Sequence, residues 1–163
     1  MTKISFIFVL AFLPLAALAE CPLGAKETHL TVNRVMRNFG KFVMEADYLC
    51  VRAANPVEKV TDADINTAIT KLGMAIDCAD QVLKDPTGDV LPSKLVFITD
   101  EKEKAEYVDD YIYFMTDYKD GLGQYRDMFK ALLAQPAAER NFTEANEKRL
   151  ELDHLVMRAH KKL

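Results

Sequence analysis

The chain has 163 residues, 50% of them hydrophobic, with 21 basic side chains against 25 acidic ones and a formal charge of −4. That is the length of a single domain, with ample apolar material for one core. The acidic balance argues against nucleic acid as a partner, because phosphate binding needs a basic face.

The first stretch, MTKISFIFVLAFLPLAALAECPL, reads as a secretory leader. Lys3 gives a short basic start, Ile4 to Leu18 is apolar, and Ala17-Leu18-Ala19 is the small-x-small pattern that signal peptidase cleaves. Cleavage after Ala19 leaves a domain of residues 20–163 with 20 basic and 25 acidic residues, a net charge of −5. The apolar run is short for a membrane span, Pro14 interrupts it, and no second such run follows, so no membrane association is expected after cleavage. Glu20 stands just before Cys21, where lipidation needs a small residue. A leader of this kind implies export of the mature chain from the cytoplasm.

Four amphipathic segments follow. The first spans about Thr28 to Ala53, with Val32, Val35, Met36, Phe39, Phe42, Val43, Ala46, Leu49 and Cys50 at helical spacing, and Asn55-Pro56 stops it. The second starts near Thr61 or Asp62, both suited to capping. Its seam of Ile65, Ile69, Leu72, Ile76, Ala79 and Leu83 steps by fours and threes. Residues 85–101 form a long irregular stretch with Pro86, Gly88 and Pro92, in which Leu95 to Ile98 is expected to tuck partly onto the helices.

The third segment spans about Asp100 to Leu133, with Tyr107, Tyr111, Phe114, Tyr118, Leu122, Tyr125, Phe129 and Leu132 inward. Gly121 and Gly123 fall mid-helix, each at a cost of up to ~1 kcal/mol relative to alanine, which is tolerated where backbone approaches something bulky. The fourth segment runs from Thr143, a plausible cap, to Leu163, with Leu152, Val156 and Ala159 as its apolar stripe. Neither strand alternation nor an internal repeat occurs. The expectation is an all-α fold, an antiparallel up-down-up-down four-helix bundle.

In that topology the start of the first helix and the end of the fourth share one end of the bundle. Met36 lies on the inner stripe of the first, and His160, at the border of the fourth helix's stripe, can point into the core. A thioether and an imidazole facing each other are the axial pair of a low-spin haem iron. Phe39, Phe114 and Tyr118 can wall a flat macrocycle; Gly121 and Ala159 can leave it room. Met44, Met74, Met115, Met128 and Met157 read as packing, and His29 and His154 as structural or surface residues.

Several short segments carry a family resemblance. Leu122-Gly123-Gln124-Tyr125, Asn141-Phe142-Thr143-Glu144-Ala145, Ala159-His160-Lys161-Lys162-Leu163 and Met36-Arg37-Asn38-Phe39 resemble segments of the cytochrome b562 family. The resemblance is clearest from Phe114 to the C-terminus. It implies Met36 and His160 as axial ligands, with Phe114 and Tyr118 at haem-facing positions. Related c-type bundles carry CxxCH ending on the ligand histidine; Val156 and Ala159 stand at the two cysteine places, so the haem b would be held non-covalently.

The reading is therefore a periplasmic electron-transfer protein, not an enzyme, passing electrons to a redox partner protein by transient contact. A cofactor-free periplasmic interaction bundle is the alternative, and a copper carrier using methionine and histidine a weaker one. The sequence contains neither GxSxG nor HExxH, and the single Glu-x-x-His, Glu151 to His154, is too few for a di-iron site. For the cysteines, a straight hairpin keeps Cys50 and Cys78 too far apart to bond, so a Cys21–Cys78 disulfide with Cys50 free is expected.

Overall fold

The computed structural model describes residues 32–55, 57–84 and 97–163, with side chains from residue 39 onward. The expected leader, Cys21, His29 and most of the long stretch after Asp85 lie outside the described residues. Four α-helices make up nearly all of the rest: α1 (Val32–Ala53), α2 (Asp62–Lys84), α3 (Glu101–Ala134) and α4 (Thr143–Lys162), with a 3-10 turn at Ala137–Glu139. Among the described residues no strand occurs, and no helix is long and apolar enough to cross a membrane.

Each boundary has a chemical cause. Thr61 and Asp64 cap α2 reciprocally: the Thr61 N–H donates to the Asp64 carboxylate at 2.8 Å, and the Asp64 N–H donates to the Thr61 hydroxyl at 3.2 Å. Asp100 caps α3 by accepting the Glu103 N–H at 2.9 Å. At α4 the expected cap is displaced. Thr143 is the first helical residue, and Asn141 Oδ1 accepts both its N–H (3.0 Å) and its hydroxyl (2.7 Å). As the first helical residue, Thr143 stands past the capping position, and its hydroxyl donates backwards to Asn141.

The four helices form a bundle in which α1 lies against α2 and α4, and α3 against α2 and α4. Polar contacts fix the helix ends. Arg52, in the last turn of α1, pairs with Asp64 in the first turn of α2. Arg140 donates to the Leu132 carbonyl at the end of α3 and pairs with Asp62 at the start of α2, 2.7 Å away. The Tyr107 hydroxyl near the start of α3 donates to the Leu163 carbonyl beyond α4, and Lys162 pairs with Asp110 at 2.7 Å.

The core follows the apolar stripes with local shifts. All eight inward positions expected on α3 are buried. On α2 the deepest row is Ile65, Ala68, Leu72, Ala75, Cys78, Ala79 and Val82, while Ile69, Ile76 and Leu83 are half-buried. Small alanines let α2 come close to its neighbours and take the centre of the interface beside Ile65 and Leu72, and Ile69 and Ile76 move to its rim. Phe97, expected to tuck inward, is exposed, as are Met44 and Met157, expected in the packing.

Candidate functional site at the α1–α4 face

The three aromatic residues singled out in the sequence converge. Phe39 of α1 meets Tyr118 of α3 edge-on at 6.0 Å between ring centroids, and Phe114 stacks on Tyr118 at 5.9 Å. All three are buried, and burial pushes the Tyr118 hydroxyl well above the ordinary tyrosine range. Phe114 also forms one wall of a cleft of about 280 Å³ between α3 and α4, together with Leu155, Arg158, Ala159 and Lys162.

His160 differs from expectation: it is exposed, and Ala159 takes the inward position. The two are one residue apart, so about 100° apart around the helix, and the core accepts the smaller. The direction in which α4 presents His160 follows from its neighbours. Arg149 and Asp153 both act electrostatically on Asp47 of α1, so that side of α4 faces α1. His160 comes eleven residues after Arg149 and seven after Asp153, which returns it to the same side. On α1, Met36 comes eleven residues before Asp47 and falls on that residue's side of the helix; the Met36 side chain lies outside the described residues. The Met36 and His160 positions therefore each stand about three turns from the Asp47–Arg149 level.

The room near this face is not where the sequence suggested. A Cβ at Gly121 would come within 2.6 Å of the Leu152 side chain, so α4 already fills that space. Gly121 thus permits close α3–α4 packing. Gly123 has nothing within 4 Å of the same construction, and the helix gains nothing from it by close approach. Gly40 lies one turn from Met36 and on the same face, and a Cβ there would meet nothing within 4 Å among the described residues. The Met36 and His160 positions and the Gly40 backbone thus share this side of the bundle, while Phe39, Phe114 and Tyr118 pack together in the core.

A polar network, absent from the sequence reading, lies deeper along the same face. The Tyr125 hydroxyl of α3, fully buried, donates to Asp47 Oδ1 at 3.1 Å. The Cys50 sulfur sits 3.3 Å from the same hydroxyl, and since that hydroxyl's proton goes to Asp47, the thiol donates to its oxygen. Burial pushes the Asp47 carboxyl up to about 6, against the Tyr125 hydrogen bond; Asp153 adds to the rise and Arg149 opposes it. Burial likewise raises the Cys50 thiol, and burial with the nearby Cys50 and Asp47 raises Tyr125 far above its ordinary range. The sequence signal was faint: an aspartate three residues before Cys50, at the edge of the α1 stripe.

Cys50 is a free, buried thiol and Cys78 is disulfide-bonded. Cys21, the expected partner of Cys78, lies outside the described residues. Among the described residues, no group of three or more His, Cys, Asp or Glu side chains is placed to hold a metal ion. No protein-family model, curated protein or solved structure matches the chain.

Proposed function

We propose that the chain is a periplasmic electron-transfer protein of the cytochrome b562 type, holding one non-covalent b-type haem between Met36 and His160. The observation that carries this reading is the shared level of those two positions across the α1–α4 face, fixed by Asp47 against Arg149 and Asp153. The reading takes the bundle as antiparallel and up-down-up-down. It draws on Arg52 at the end of α1 with Asp64 at the start of α2, Arg140 of the α3–α4 connection with Asp62 at the start of α2, and Lys162 at the end of α4 with Asp110 in the first half of α3.

The haem would supply the uptake and return of one electron. The chain's own residues do the rest. Met36 and His160 would occupy both axial positions, which leaves no open site for substrate turnover. Phe39, Phe114 and Tyr118 keep water from the inner edge, while the exposed position of His160 keeps the outer edge within reach of a redox partner. Adding haemin to the mature protein should give a low-spin spectrum at one equivalent, and Met36→Ala should turn it high-spin or weaken binding. An unchanged spectrum in that variant removes Met36 from the scheme.

A second reading is favoured by one observation. The rings of Phe39, Phe114 and Tyr118 already close on one another. A cofactor-free periplasmic bundle that binds a protein partner would have such a finished core. Colourless protein that rejects haemin yet melts cooperatively selects it; bound copper in elemental analysis would select a metal carrier instead.

A further inference from the structure

Asp47 is a half-buried carboxyl group gripped by a fully buried hydroxyl, which in turn is held by a buried thiol. The groups facing it come from three helices: Cys50 of its own α1, Tyr118 and Tyr125 of α3, and Arg149 and Asp153 of α4. Only one of these is a cation, and Arg149 is already shared with Asp153, 3.4 Å away, and with Asn146 at 3.1 Å. With Asp47 ionised, two carboxylates share one guanidinium, and Asp47 holds its charge half out of water. With Asp47 protonated, Arg149 and Asp153 balance each other, and the Tyr125 hydroxyl still has an acceptor in Asp47.

We propose that Asp47, bonded through Tyr125 to Cys50 and set against Arg149 and Asp153, is a proton-operated latch that seats α1 on α3 and α4. Proton loss adds an unmatched negative charge between α1 and α4 and loosens that seat. α2 carries none of the groups found to act on Asp47, so the loosening is local to the α1–α4 side. The latch stands apart from the haem, since none of its groups is an iron ligand and it operates in the haem-free protein.

The sign follows from the raised acidity constant. The folded protein holds this proton more tightly than the unfolded chain. The stabilisation is therefore complete below about pH 4 and is lost as the pH rises through about 6. In the disulfide-intact, haem-free mature protein, the melting temperature should fall by several degrees between about pH 4 and pH 7. Asp47→Asn should flatten that profile. Carboxyl NMR of the wild-type protein should show Asp47 titrating near pH 6, and hydrogen exchange should quicken in α1 and α4 more than in α2 as it does so. Asp47 titrating at or below about pH 4, or an unchanged slope in Asp47→Asn, overturns the latch. The NMR titration reads the wild-type chain, so the test survives a variant that does not fold.

Discussion

Two regions of one helix, α3, treat a buried tyrosine in opposite ways. Tyr125 and Tyr111 are equally inaccessible, at 0% and 1% exposure. The Tyr125 hydroxyl has a thiol on one side and a carboxylate on the other, and its ring packs edge-on against Phe129, which in turn meets Phe142. The Tyr111 hydroxyl finds no hydrogen-bond partner among the described residues. One turn along α3 from Tyr111, Phe114 lines the cleft between α3 and α4. The Tyr125 end of α3 is thus matched by side chains from α1, whereas the Tyr111 end carries a hydroxyl without a partner among the described residues.

Cavity formation tests the contrast most strongly. Phe129→Ala should cost about 3–5 kcal/mol in urea unfolding of the haem-free protein, since its neighbours are already committed. Phe39→Ala, beside the open side of Gly40, should cost less. Equal losses would erase the difference between the two ends. Next in size, Tyr125→Phe should cost about 1–3 kcal/mol, because the thiol and carboxyl lose their shared partner inside the protein. Tyr111→Phe should be neutral or slightly stabilising, since it removes a donor that bonds nothing. A comparable loss in both variants would mean that Tyr111 has a partner after all.

The smallest expected effect concerns the two mid-helix glycines. Gly123→Ala should stabilise by roughly 0.5–1 kcal/mol through helix propensity alone, its added methyl meeting nothing. Gly121→Ala gains the same propensity but pushes on Leu152 Cδ2 at 2.6 Å, so its net change should fall below that of Gly123→Ala. A thermal melt of each separates the two.

Much of this was legible in the sequence, for identifiable reasons. The α3 stripe was read correctly because large aromatic residues at steps of three and four have only one side to bury. The Phe39–Phe114–Tyr118 cluster followed from that periodicity. The α2 seam was read in part: Ile65, Leu72 and Ala79 are fully buried and Ile69, Ile76 and Leu83 pack against them, but Ala68 and Ala75 were passed over because an alanine looks less like core than an isoleucine. His160 was placed too far inward because stripe borders are a matter of tens of degrees, and Ala159 won the inward place. The Asp47 network was missed because a lone aspartate beside a stripe looks like solvated surface until its tyrosine, 78 positions away, is seen against it.

The central claim is that His160 of the last helix completes an iron site with Met36 of the first, and α4 supplies its own control. His154 is also exposed on α4, about 120° around the helix from His160. Haemin titration of the mature protein and of the His160→Ala and His154→Ala variants, followed by absorption spectroscopy, reads the difference directly. The account predicts a one-equivalent low-spin spectrum in the wild-type protein and in His154→Ala, lost in His160→Ala. No haemin uptake by the wild-type protein, or the same spectrum in all three, would contradict it.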